Sequence, residues 1–266
     1  MAAFAGPSVE ELTELRRAIA RLERDGAGRE ATVLGRLLLK LEAITPRAAL
    51  RRMEPDVEAL AAAAGFGLRP GPREAIGPGI FEALQRAVLE MRTVRLRYRR
   101  RDTGAVSRPI LHPHGFLWGP RRYLVATNPH PKVNEARTYV LANIEAVELL
   151  DEAFAPDLAF DLAAFVDRSF GVFWDGRAFD VAWRFAPSAA ADARAFLFHA
   201  TQTFEDEPDG SLLVRFRASG LDEMGWHLFT WGDAVRVVEP PELAARYRAL
   251  IERARRASAD GEEAGT

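Results

Sequence analysis

The chain has 266 residues, 48% of them hydrophobic and 28% charged, the balance of an ordinary folded protein with room for two or three small cores. It contains no cysteine, which excludes disulfides, thiolate catalysis and cysteine metal sites, and no apolar run reaches bilayer length or resembles a signal peptide, so the expected setting is the cytoplasm. The formal charge of −2 is unevenly spread: residues 76–150 carry 12 basic and 6 acidic side chains, residues 151–266 carry 12 and 21.

Residues 8–24 read as an amphipathic helix, with Ser8 and Glu11 in capping-box spacing and Leu12, Leu15, Ile19 and Leu22 on one face. A second helix is expected over 29–44, with Val33, Leu34, Leu37, Leu38 and Leu41 inward. Pro46 suits the start of a third, carrying Leu50, Met53, Val57 and Leu60, which Pro55 can bend or split. Gly65 to Gly79 holds five glycines and three prolines and reads as a linker. A short helix follows near 79–91, and then the period changes to two. Val94, Leu96 and Tyr98 alternate with Arg95, Arg97, Arg99 and Arg101, the pattern of a half-buried strand. Asp102-Thr103-Gly104 is a turn. Strands at 107–118, 121–128, 136–141 and 143–150, with Gly119-Pro120 punctuating one hairpin, complete a set that fits a small barrel.

A helix is expected over 157–170, with Leu158, Leu162, Phe165 and Val166 apolar. Beyond it come a strand at 179–185, a helix from Pro187, strands near 201–207 and 211–217 joined by Pro208-Asp209-Gly210, a helix over 221–231, a strand at 234–238 and a last helix from Pro240-Pro241. That β-α-β-β-α-β order is the ferredoxin-like split motif. Residues 257–266 read as a frayed tail. The fold class is therefore α+β in four stretches: a helical N-terminal arm and linker (1–75), a small Sm/SH3-like barrel (76–153), a connecting helix (154–176) and a ferredoxin-like extension (177–266).

Gly119-Pro120-Arg121-Arg122-Tyr123-Leu124-Val125-Ala126 resembles the signature strand of WYL domains, with Arg97-Tyr98, Arg108, Pro113 and Arg137-Thr138-Tyr139-Val140-Leu141 as agreeing flanks. Phe198-His199-Ala200-Thr201-Gln202, Asp209-Gly210-Ser211-Leu212 and Trp231 to Pro240 resemble the extension that often follows such domains. The chain is thus similar, over nearly its whole length, to the bacterial WYL-domain transcription regulators. Two departures stand where a ligand is met: the signature tryptophan is Arg122, and the arginine before the last strand's isoleucine is Asn143. The seven residues before Ser8 are too few for the family's winged helix-turn-helix. That leaves a truncated chain, an upstream start, or DNA contact through a partner as the expectations.

The resemblance implies a pocket lined by Tyr98, Arg108, His112, Arg122, Tyr123, Arg137 and Asn143, in which arginines hold an anion and tyrosine faces offer stacking platforms. Barrel-core packing is the competing account of Tyr98 and Tyr123, and an ordinary turn histidine that of His112. Arg95, Arg97, Arg99 and Arg101 repeat at about 6.6 Å along one strand face, an interval suited to successive phosphates, or else a solvated outer surface. The arginine excess, with Lys40 and Lys132 the only lysines, also fits nucleotide bias. His199 reads as a contact of the extension or a cap on helix carbonyls. Phe160, Phe165, Phe170, Phe173 and Trp174 read as interdomain packing, and Glu223 with His227 as a surface contact. No phosphate loop, dinucleotide fingerprint, nucleophile elbow or H-E-x-x-H is present, so neither an enzyme nor a cofactor is expected. The expected function is transcriptional control in response to an anionic small molecule or single-stranded nucleic acid, by a homodimer away from membranes. An adaptor built from the same domains is the alternative.

Overall fold

The computed structural model describes residues 6–65, 71, 75–101, 103–119 and 121–263. Asp102 of the expected turn, Pro120 of the expected hairpin, linker residues 66–70 and 72–74, and tail residues 264–266 lie outside them. The chain divides into two units, Met1–Ala75 and Ile76–Thr266.

The first unit is three helices: α1 (Val9–Arg24), α2 (Gly28–Ile44) and α3 (Arg47–Ala62). α1 starts where the sequence places it, because the Glu11 N–H donates to Ser8 Oγ at 3.1 Å and the Ser8 N–H donates to Glu11 Oε2 at 2.7 Å. Leu12, Ala31 and Val57 are buried between the helices. Pro55 does not split α3. Val33 and Leu37, expected inward, are 53% and 46% exposed, and Leu39, Ile44 and Leu60 are exposed with them. The apolar stripe of α2 is wider than the seam that α1 covers.

In the second unit, α4 (Ile80–Leu89) lies on an antiparallel sheet of β1 (Arg92–Arg99), β2 (Val106–Ser107), β3 (Ile110–Trp118), β4 (Arg122–Thr127), β5 (Ala136–Val140) and β6 (Ile144–Ala153). One edge of β1 pairs with β2 and β3 and the other with β6, while β3, β4 and β5 follow in order. The expected strand at 107–118 is interrupted at Arg108-Pro109, because proline has no N–H to give the ladder. Bulges fall between Pro113 and Gly115 on β3 and between Arg97 and Tyr98 on β1, and they bend the sheet. Among the described residues β5 and β6 do not pair, so the sheet is a curled half-barrel. Leu84, Val94, Leu96, Leu111, Leu124 and Leu141 fill its concave side.

The connecting stretch holds a shorter helix than expected, α5 (Leu162–Asp167). Its start is fixed by the Asp161 carboxylate, which accepts from the N–H groups of Ala163 and Ala164, and Leu158 lies outside it, 94% exposed. The last part runs β7 (Phe179–Phe185), α6 (Ala190–Arg194), β8 (Thr203–Asp206), β9 (Leu212–Ala218), α7 (Leu221–Leu228), β10 (Val235–Glu239) and α8 (Pro241–Glu263). Its strands form an antiparallel sheet in the order β10-β7-β9-β8, packed through Trp183, Phe185, Val214 and Phe216 onto Met224, Leu228 and Leu243 of the helices. The tail expected to fray continues as α8 to Glu263. No helix among the described residues is long and apolar enough to cross a membrane.

Candidate functional site

The segment between the two sheets is held from both sides. On β3, a Cβ at Gly115 would stand 2.8 Å from Leu162 Cδ2, so glycine there gives the Leu162 side chain of α5 room against the strand. On the other side, Glu223 of α7 reaches back and one oxygen, Oε2, accepts from the N–H groups of Val172 and Phe173, each at 2.8 Å. Asp175 Oδ2 accepts from the first amides of α7, Gly220 and Leu221, each at 2.9 Å. The expected surface contact of Glu223 with His227 is therefore replaced by two separate roles. His227 Nε2 instead accepts from the Trp231 indole N–H at 3.1 Å, inside a ring cluster with Phe170, Phe196 and Phe198. Burial lowers the pKa of that imidazole and raises that of the Glu223 carboxyl, the two backbone donors opposing the latter.

This segment walls a cavity of about 390 Å³ against β5. Arg137, Glu135 and Thr138 line it from the half-barrel, and Phe165, Arg168, Gly171 and Trp174 from the segment. The Arg137 guanidinium is ion-paired with Glu135. Arg168 is arranged differently. Its guanidinium carbon lies 3.8 Å from the Phe165 ring centroid and 4.1 Å from that of Trp174, and its buried Nε has no hydrogen-bond partner. Burial pulls this guanidinium below its ordinary pKa, with the Glu135 charge opposing. A second cavity of about 300 Å³ shares Leu117, Val166, Ser169, Gly171 and Val172, and is lined also by Trp118 and His199.

Of the expected pocket residues, Tyr98 and Asn143 meet: the Asn143 amide and the Val140 N–H each donate to the Tyr98 hydroxyl at 3.4 Å. Tyr98 also stands edge-on to Tyr139, with centroids 5.5 Å apart. Tyr123 is buried on β4, and Arg122 is half-buried opposite Trp118. His112 stacks on Phe154 at 4.6 Å and His114 on Phe160 at 4.2 Å, and burial lowers the pKa of both. Arg108 is exposed at the β2–β3 break and does not line the Arg137 cavity.

The β1 arginines face carboxylates of the neighbouring strand. Arg95 pairs with Glu148 at 2.7 Å, and Arg97 and Arg99 with Glu145 at 2.8 and 2.6 Å. Arg101 falls beyond the strand end, in a turn. His199 is buried, with Nδ1 2.9 Å from the Thr201 hydroxyl and its ring stacked on Phe216; it does not cap helix carbonyls. Sequence reasoning treated Phe165 and Trp174 as packing and passed over Arg168. The available signal was an arginine set within an aromatic run, Phe165 to Trp174.

Two domain families match the sequence: the WYL domain over residues 79–149 and the WCX domain over 177–255. The half-barrel and the four-stranded sheet coincide with these two stretches, so the chain is a WYL–WCX protein. It belongs to the WYL-domain family. No curated protein matches it in sequence. Among solved structures it is similar to proteasome accessory factor B/C (PafBC) of Arthrobacter aurescens, with 21% identity and a TM-score of 0.35 over 92% of this chain and 35% of that one. It is also similar to a CRISPR Cas-related protein, with 13% identity and a TM-score of 0.46 over 69% of this chain and 51% of that one. The chain thus spans about a third of the first and about half of the second. Arg168 and its two rings lie between the WYL and WCX matches, in neither.

Proposed function

We propose that the chain is a ligand-responsive transcriptional regulator that works by binding rather than turnover, in the cytoplasm, and whose effector is an anion: a nucleotide-like small molecule or a single-stranded nucleic acid. The half-barrel is read as a WYL variant of the Sm/SH3-like barrel. The β10-β7-β9-β8 sheet, with its strand-helix-strand-strand-helix-strand order, is read as a ferredoxin-like extension. DNA is reached through a partner or a winged helix outside this sequence, and the exposed apolar side chains of α2 supply a homodimer surface.

One observation carries the effector reading. Arg137 of the WYL match and Arg168 of the connecting segment open into the same cavity, of a size that holds one small ligand. An anion seated between them favours the arrangement that brings β5 and the segment together, and such differential binding is what a switch requires. The test is isothermal titration with AMP and with a ten-nucleotide oligo(dT) at 20 and 200 mM salt. Binding that weakens with salt, and weakens about fivefold or more in Arg137→Ala, is the expected result. If neither binds at low salt, the effector reading is wrong. The adaptor reading then gains, since Trp226 and Phe173 form an exposed edge-to-face pair on the WCX side.

A further inference from the structure

We propose that Arg168 is the anchor of a small-molecule site in the junction cavity, and that its ligand is a single organic anion, a carboxylate or phosphate monoester on an apolar body. The proposal rests on the reading above that this cavity receives the effector, and it names the ligand class and the residue that selects it.

A partly desolvated cation is costly to hold, and folded proteins pair such groups; for Arg168 the Glu135 charge opposes the effect of burial without cancelling it. Arg168 is partly compensated by the two rings, at 3.8 and 4.1 Å, but rings cover only the faces of a guanidinium. The hydrogen-bond donors lie in its plane, around the edge. There Nε is buried and has no acceptor. Glu135, the acid lining the cavity, is committed to Arg137. Set against two rings, with Nε buried and unpartnered, the guanidinium has its two terminal amino groups left to hold one oxyanion from the cavity it lines.

The remaining walls set the rest of the ligand. Leu117, Val166, Val172 and Phe173 give an apolar part that complements a hydrocarbon or aromatic body, with Thr138 and Ser169 as the polar groups beside them. About 390 Å³ matches a pocket for one small molecule. A strand asks for cations at nucleotide intervals along a groove, and the β1 arginines with that spacing are tied to Glu145 and Glu148.

The full-length chain is titrated with 2-naphthoate and phenyl phosphate, with inorganic phosphate and oligo(dT) of ten nucleotides as comparisons. The two organic anions are expected to bind more tightly than inorganic phosphate. Arg168→Met, which keeps the stem between the rings and removes the charge, should weaken them about tenfold or more, and Arg168→Lys should fall between. Thermal unfolding of each variant separates binding from bracing. If Arg168→Met lowers the midpoint, Arg168→Lys decides: a wild-type midpoint with weakened binding supports the anchor, and wild-type binding overturns it. Unchanged naphthoate binding in Arg168→Met means that Arg168 only braces the segment. If AMP or oligo(dT) binds through Arg137 while the organic anions do not, the effector reading stands and this inference falls. If no anion binds, both fall.

Discussion

Glu223 shows how one side chain can hold the wall of a site. Its Oε2 takes two backbone N–H groups from a segment fifty residues away in sequence, and burial pushes its pKa up. The sign of the pH effect follows. Between the ordinary carboxylate range and the higher folded value, the folded chain binds more protons than the unfolded one, so this group's contribution to stability falls as pH rises through that window. Glu223→Gln keeps an acceptor oxygen and does not titrate, so it should flatten that fall while leaving the segment in place. Glu223→Ala leaves the part-buried Val172 donor without its acceptor and the exposed Phe173 donor to water, and should cost about 1–3 kcal/mol. Urea unfolding between pH 4 and 8 measures both, and an alanine variant as stable as wild type at pH 7 would refute the assignment. None of this was legible in the sequence, where Glu223 stands four residues before His227 and reads as half of a helix-surface pair. Arg137 was legible, because a charge in a short strand is not needed for folding. Arg168 was not: Phe165 is near it in sequence, but Trp174 reaches it only after the chain has turned back.

At the level of elements, sequence periodicity did well where one face packs and poorly where the chain is braced from outside. β7 was expected at 179–185 and forms there, because Val181, Trp183 and Phe185 alternate into one core. The helix expected at 157–170 shrinks to Leu162–Asp167, because Asp161 takes the N-cap, the N–H groups of Val172 and Phe173 go to Glu223, and Asp175 is turned to the amides of Gly220 and Leu221. The half-barrel's strands were legible from alternation. The bulges that curl it were not. The braced segment also makes a prediction. A Cβ at Gly171 would lie 2.5 Å from the Glu223 carboxylate, whose position is fixed by its two hydrogen bonds. Gly171→Ala should therefore destabilise the chain by forcing that carboxylate off its donors, and should cost much less when Glu223 is already alanine. The double-mutant cycle should give a coupling of about 1 kcal/mol or more, and strict additivity would mean the two sites are independent.

At the scale of the whole molecule, both large cores and the candidate cavity belong to residues 76–266, and among the described residues the helical unit contributes no side chain to either. The charge asymmetry visible in the sequence takes on a different meaning once folded. The basic middle meets glutamates of its own sheet along β1, and its one arginine in the cavity is Arg137, already paired. Exposed pairs of this kind contribute little to stability and are screened by salt, so the ladder is a weak attractor beside the half-buried Arg168, whose Nε has no partner. Among its described residues the helical unit buries few apolar side chains, and it leaves Val33, Leu37, Leu39 and Ile44 exposed on α2. A helix apolar beyond what its own unit covers is the usual mark of a surface shared with another chain. On the function proposed above, the two units divide the labour, with sensing in residues 76–266 and self-association in the helices. Residues 76–266 made alone should unfold cooperatively and bind 2-naphthoate within about twofold of the full chain, because no cavity wall is lost. In sedimentation velocity the full chain should run as a dimer and the shortened one as a monomer, with Leu39→Glu in the full chain reproducing the monomer. A shortened chain that still dimerises would move the interface onto the WYL–WCX unit. A monomeric full chain would leave the exposed face of α2 without the role argued for it.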